Sequence, residues 1–187
     1  MKYLYHYYEK GTQPFRNLSF LNIEDANRVL NDLIDTNPEY WYLKKYGGFL
    51  ERRRELETKA REIFKIKGGM TYTHAPHYLV VGECEFLKSW FVNPEVLKIP
   101  IDEFDLSAVS FCYGDIFPTF GSSKKSSKEY KNQVYTYDEI TEIIQKYGLP
   151  QDWNPDGKGG YERYVEVHLW DTNPVDRYIM KYNRLKK

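Results

Sequence analysis

The stretch Tyr161-Glu162-Arg163-Tyr164-Val165-Glu166-Val167-His168-Leu169-Trp170-Asp171 decides how this chain is read. Side chains alternate along a strand with period two, so Val165, Val167 and Leu169 share one face. Tyr164, Glu166, His168 and Trp170 share the other. A surface strand carries small polar or charged residues on its second face. Here a carboxylate and an imidazole sit between large aromatics, the pattern expected of a cleft wall. A carboxylate against aromatic surface loses solvation, and that is one way proteins make it chemically useful. The alternative is a half-buried strand whose Glu166 reaches solvent or an arginine.

Outward from this strand, the chain mixes strands and helices without a repeating strand-helix-strand unit. That favours an α+β fold over a doubly wound one, with mixed small sheets and flanking helices. Lys2 to Tyr8 reads as a strand, followed by the breaker run Lys10-Gly11-Thr12-Gln13-Pro14. Asn22 caps a helix with Asp25 in its first turn and Ala26, Val29, Leu30, Leu33 and Ile34 inward. Asn37-Pro38 ends it. A second helix runs from Phe49 to Phe64 with Leu56, Ala60 and Ile63 inward. Its Arg52, Arg53, Arg54 and Arg61 interleave with Glu51, Glu55, Glu57 and Glu62, a pattern that predicts a solvated face of local ion pairs.

Strands are predicted over His77 to Glu83, Val96 to Ile101 and Val109 to Tyr113, with a short helix over Cys84 to Phe91. Gly121 to Lys131 reads as a polar loop. Thr136 and Glu139 form a capping box for a helix carrying Ile140, Ile143 and Ile144, closed by Gly148 and Pro150.

The 187 residues suit a single domain able to bury a core without disulfides. Twenty-seven basic residues balance 27 acidic ones. That neutrality argues against a dedicated nucleic-acid or membrane-surface binder. Eighteen tyrosines suit surfaces that are apolar yet wet. Two cysteines in apolar settings, no apolar run approaching ~18 residues and no signal-peptide pattern point to a cytoplasmic protein.

Several motifs compete as sites. Asp156-Gly157-Lys158-Gly159-Gly160 precedes a strand, whereas phosphate-cradling glycines follow a strand and open a helix, so a loop explains them better. His74-Ala75-Pro76-His77 has metal-like spacing, but Pro76 breaks a helical ligand pair and no second cluster completes the site. The expectation there is no metal, and strand-edge histidines satisfied by backbone. Cys112 reads as buried, and the thiolate of Cys84 is disfavoured beside two glutamates. His6 lies mid-strand, either satisfied by backbone or donating to a ligand on the sheet face. Asp115 ends a strand in a turn lined by Tyr113, Phe117 and Phe120, which either is turn chemistry or clamps a planar ring.

Taken in order, His6, Asn17-Leu18, Pro76-His77-Tyr78, Ser110-Phe111-Cys112-Tyr113-Gly114-Asp115 and Val165-Glu166-Val167-His168-Leu169 with Pro174 resemble the DarT-like ADP-ribosyltransferases, bacterial enzymes that use NAD as substrate. Each motif is short. The chain is also similar to a group of bacterial proteins sharing Tyr113-Gly114-Asp115 and Leu149-Pro150-Gln151-Asp152-Trp153. Tyr8 stands where the transferases carry a small hydroxyl residue. Their NAD-contacting arginine matches either Arg16 or the Arg52 to Arg54 run. The resemblance implies an ADP-ribosyltransferase-like fold and an NAD pocket. Glu166 would be the catalytic carboxylate and His6 would hold a ribose hydroxyl. Asn17, Arg16, Tyr78, Tyr113 and Asp115 would contact the nucleotide, with Tyr78, Tyr113 or Trp170 stacking on nicotinamide. The acceptor would be protein, nucleic acid or metabolite, with Lys124 to Lys131 offering local nucleic-acid contacts. The competing reading is a non-catalytic binding protein that uses its aromatic excess as a recognition surface.

Overall fold

The computed structural model describes residues 1–36, 48–121 and 128–185. Its centre is one antiparallel sheet of five strands: β1 (Tyr3–Glu9), β2 (His77–Val81), β3 (Pro94–Pro100), β4 (Val109–Tyr113) and β5 (Val165–Leu169). They lie side by side in the order β3-β1-β2-β5-β4. The architecture is α+β, and the several small sheets expected from the sequence are replaced by this single one. The reason is β5: the last strand in sequence inserts between β2 and β4 and joins them.

The alternation read in β5 holds, and each face finds a cover. Val165, Val167 and Leu169 join Leu4, Leu79, Ile99, Val109, Phe111 and Tyr113 in the main core. Helix α5 (Tyr137–Tyr147) packs Ile140 there, and α7 (Asn173–Leu185) packs Val175. The Thr136–Glu139 capping box that starts α5 is formed reciprocally.

The opposite face lies under α2 (Phe49–Ile66) and α4 (Ile116–Gly121). Leu56, Ala60 and Phe64 of α2 meet Ile116 and Phe120 of α4 over Cys112 and Trp170. Every residue of β4 and β5 is consequently buried. The face that carries Glu166 is therefore a covered layer and not the open cleft wall that its aromatics implied.

Three local expectations are corrected. Leu33, placed on the inward stripe of α1 (Ile23–Thr36), is 43% exposed, while Ala26, Leu30 and Ile34 are buried. The charged run of α2 is not wholly solvated, since Glu57 is 1% exposed. Asp115 does not merely close a turn: its Oδ1 accepts from the Phe117 N–H and its carbonyl from the Thr119 N–H, which starts α4. Of the remaining short helices, α3 (Glu85–Lys88) follows β2, and α6 (Pro150–Trp153) follows α5 and reaches the end of β2, where the Gln151 amide donates to the Val81 carbonyl at 2.6 Å. Asn37-Pro38 and residues 122–127 of the polar tract fall outside the described residues, so Lys124 and Lys125 carry no structural account.

Candidate functional site

Strand register sorts the candidate residues before any side chain is considered. Tyr5 opposes Val80, Val80 opposes Glu166, and Glu166 opposes Cys112. Directly opposed residues share a face. The neighbouring row is Tyr78, His168 and Ser110. Glu166, Tyr78 and His168 thus stand together. His6 and Tyr113, each one residue out of step with these rows, lie on the other side of the sheet.

Glu166 is held from two directions. His168 Nε2 lies 2.7 Å from Glu166 Oε1, and the Ile116 N–H, at the start of α4, donates to the same oxygen at 3.3 Å. Behind the imidazole, the Trp170 indole N–H donates to Ser110 Oγ at 2.8 Å, and that hydroxyl faces His168 Nδ1 at 3.4 Å. The serine accepts from tryptophan and so offers its own proton to Nδ1. This fixes the tautomer with hydrogen on Nε2, pointing at the carboxylate. Ser110 and His168 are fully buried. The serine is out of reach of an outside substrate and serves to orient the ring.

Burial pushes Glu166 well above the usual carboxylate range; Asp115 adds repulsion, and Arg53 opposes both. Burial also lowers His168 to about 4. The pair is thereby biased toward two neutral groups sharing a hydrogen bond. Asp115 is itself tied, since the Tyr164 hydroxyl donates to its Oδ2 at 2.9 Å.

A second cluster adjoins this one and was not foreseen. Glu57 Oε1 accepts from Arg53 Nε at 2.9 Å, from the Ser19 hydroxyl at 2.9 Å and from the Tyr78 hydroxyl at 2.7 Å. The Arg53 guanidinium lies 4.7 Å from the Tyr78 ring centroid and donates to Asn17 Oδ1 at 3.2 Å. The Tyr78 ring meets His168 edge-on at 5.4 Å, which links the two clusters. Burial holds the Tyr78 hydroxyl well above its ordinary pKa; the Arg53 charge opposes this, while Glu57 reinforces it. A signal existed in the sequence. Glu57 lies three and seven residues before the buried Ala60 and Phe64, on the apolar stripe of α2 and not opposite it.

The other candidates are placed as follows. Asn17 caps the Leu18–Phe20 turn, accepting from the Ser19 N–H, and its amide donates to the Pro76 carbonyl at 2.7 Å. His6 Nε2 accepts from the Phe15 N–H at 2.9 Å, so Nδ1 carries the proton and donates to the Tyr78 carbonyl at 2.9 Å. Both ring nitrogens are thus taken up by backbone. Tyr113 donates to the Gly148 carbonyl and packs with Tyr130 in the main core, away from Glu166. Trp170 is fully buried, so its ring is not open to stacking. Of the arginines, Arg16 is exposed, Arg52 pairs with exposed Glu55, and Arg54 donates to the Leu21 carbonyl. Arg53 is the one that joins Tyr78 and acts on Glu166.

His74 Nε2 lies 3.1 Å from the Ser19 carbonyl, satisfied by backbone as expected. His77 differs: it is buried between Phe15 and Phe20, and neither ring nitrogen has a hydrogen-bond partner among the described residues. No group of three or more potential metal ligands occurs among the described residues. No described helix is long and apolar enough to cross a membrane. Comparison of the chain with protein-family models, with curated proteins and with solved structures yields no match.

Proposed function

We propose that the chain is an ADP-ribosyltransferase-like protein that takes NAD as substrate, with Glu166 as the carboxylate at the reacting ribose. The observation that carries this reading is the clamped carboxylate: Glu166 sits on a rigid strand, with one oxygen fixed by His168 and the Ile116 N–H. Loss of nicotinamide breaks the bond between ribose C1′ and the ring nitrogen, whose electron pair leaves with nicotinamide. Positive charge builds on the ribose and an ionised Glu166 stabilises it. An acceptor oxygen or nitrogen then forms the new C1′ bond, and its proton passes to the carboxylate.

Within this reading Arg53 is the arginine for the nucleotide's phosphates, and Tyr78 offers the aromatic face to the cationic ring. These two form the accessible rim of the site, with the Arg53 side chain 20% exposed and Tyr78 half-buried. Asn17 joins them through Arg53. His6 acts through the backbone of Tyr78 and holds no ribose hydroxyl, and Tyr113, bonded to the Gly148 carbonyl on the other side of the sheet, takes no part in the site. The acceptor is a protein, a nucleic acid or a small metabolite.

One observation favours the second reading, a non-catalytic binding protein. Arg53, Tyr78 and Asn17 already satisfy one another and Glu57, so a ligand must break protein contacts to use them. Thermal shift of the purified chain with millimolar NAD separates the readings, because a ligand that binds only the folded state raises the melting temperature. A rise that Arg53→Met abolishes supports the nucleotide pocket. No rise at saturating NAD leaves the binding-protein reading.

A further inference from the structure

The two oxygens of Glu166 stand in different surroundings. Oε1 accepts from His168 Nε2 at 2.7 Å and from the Ile116 N–H at 3.3 Å. A carboxylate oxygen has two lone-pair sites, so both sites of Oε1 are filled by N–H donors. No described residue donates to Oε2. That oxygen is not enclosed, since it does not belong to the buried side-chain atoms left without a partner, and 8% of the Glu166 side chain stays accessible. The covered carboxyl therefore reaches the outside through one atom.

Which oxygen carries the proton of the neutral acid depends on His168. A carboxylic acid beside a neutral imidazole has two arrangements. It donates its O–H to a bare ring nitrogen, or it accepts from a ring N–H and keeps its proton on the other oxygen. An isolated pair takes the first, because the ring nitrogen is the more basic acceptor. Here the first is closed. The Trp170 indole donates to Ser110 Oγ at 2.8 Å, which turns the serine hydrogen toward His168 Nδ1 at 3.4 Å. Nδ1 is then an acceptor, and Nε2 must carry the ring hydrogen. Trp170, Ser110 and His168 are all fully buried, so this order of donors is set by the protein's own groups.

We infer that Ser110 is a positioning residue for Glu166: acting through His168, it confines the carboxyl's proton to Oε2, the one oxygen able to exchange it with a substrate. For its chemistry the inference rests on the transferase reading. The resting proton leaves from Oε2 before turnover. The acceptor's proton then arrives at Oε2 as the electron pair of its O–H or N–H atom forms the bond to ribose C1′. Without the serine hydroxyl, Nδ1 takes the ring hydrogen and the acid turns its proton inward, from Oε1 to Nε2.

The test reads the His168 tautomer by long-range proton–nitrogen NMR on the full chain without NAD, at the lowest pH the fold tolerates, where Glu166 is neutral. Wild type, Ser110→Ala and Ser110→Thr are compared. The wild type and the threonine variant, which keeps the hydroxyl, are expected to show hydrogen on Nε2, and Ser110→Ala to show it on Nδ1. With NAD, kcat of Ser110→Ala should fall about 10²-fold, the scale of one displaced general base, with KM little changed. Ser110→Thr should recover most of that loss. Hydrogen on Nδ1 in the wild type overturns the inference, and that spectrum requires no variant to fold. A Ser110→Ala protein with the wild-type tautomer and kcat overturns it equally. Hydrogen on Nε2 in a wild type that consumes no NAD upholds the place of the proton and removes the transferase reading.

Discussion

His168 and Glu166 stand two residues apart on the same strand, and their side chains meet at 2.7 Å. Residues so placed share a face, but about 7 Å of strand separates their Cα atoms, so both side chains must lean together. The contact persists because each end is anchored, His168 through Ser110 and Glu166 through the Ile116 N–H. A carboxylate held this way keeps one geometry, and its protonation is set by burial before any ligand arrives.

That anchoring makes Glu166→Gln a clean probe. The amide oxygen can still accept from His168, and the charge is lost. The variant is expected to keep the wild-type far-ultraviolet circular dichroism and to lose about 10² to 10³ in NAD-consuming rate. The wild-type rate should also climb with pH well beyond the usual carboxylate range, since Glu166 must ionise and burial opposes that. Equal rates for the two proteins across the whole pH range, up to the highest pH at which the fold persists, would remove Glu166 from the chemistry.

The Arg53–Glu57 pair makes a separate stability prediction. Glu57 has a side chain 2% exposed and Arg53 one that is 20% exposed. Arg53→Met leaves a buried carboxylate without its cation and should cost about 3 to 5 kcal/mol in urea unfolding. Arg53→Met with Glu57→Leu removes both charges and should cost less than Arg53→Met alone, despite changing two residues. A double variant as unstable as the sum of its parts would show that the two side chains do not act as a pair.

What was legible in the sequence followed from local periodicity. The alternation at Val165 to Leu169, the strand at Val109 to Tyr113 and the Thr136–Glu139 box each depend on neighbours within a few positions, and each is present. Pairing was not legible. Period two puts His6 opposite Tyr5, yet whether His6 shares a face with Glu166 is decided by β1 pairing with β2 and β2 with β5. Those registers join residues 75 to 92 positions apart in the chain and place Tyr5 in the Glu166 row. Glu57 was missed for a related reason: an Arg/Glu run looks solvated until Ser19 and Tyr78 arrive from other elements. The final helix, Asn173–Leu185, was legible and was not read: Val175, Tyr178, Ile179 and Tyr182 recur at helical spacing, and the first three pack on the main core.

The α5 cap gives a smaller effect that is simpler to measure. Thr136 Oγ1 accepts from the Glu139 N–H, and the Glu139 carboxylate accepts from the Thr136 N–H. Glu139 also holds Lys67 of the residue run leaving α2, at 2.8 Å. Thr136→Ala should lower unfolding free energy by about 1 kcal/mol. Thr136→Ser should recover most of it, because the hydroxyl returns. A serine variant no better than alanine would place the effect in the lost methyl group.

Acid sensitivity follows from the buried histidines. His6 and His77 are lowered by burial to about 4 from 6.5. Between those values the unfolded chain holds a proton on each histidine that the folded chain does not. Stability therefore rises with pH across that window, is fully present above pH 6.5 and is lost as pH falls toward 4. His168 and Glu166 nearly cancel within it. Unfolding puts a proton on His168 and takes one from Glu166, whose folded pKa is raised. Two uncompensated protons give a slope of about 3 kcal/mol per pH unit. Urea midpoints measured from pH 7 to pH 4.5 should fall steeply once below pH 6.5. Replacing His77 by Phe, which keeps the ring among Phe15 and Phe20, should halve the slope; a slope unchanged by that substitution would mean that His77 already carries its proton in the folded protein.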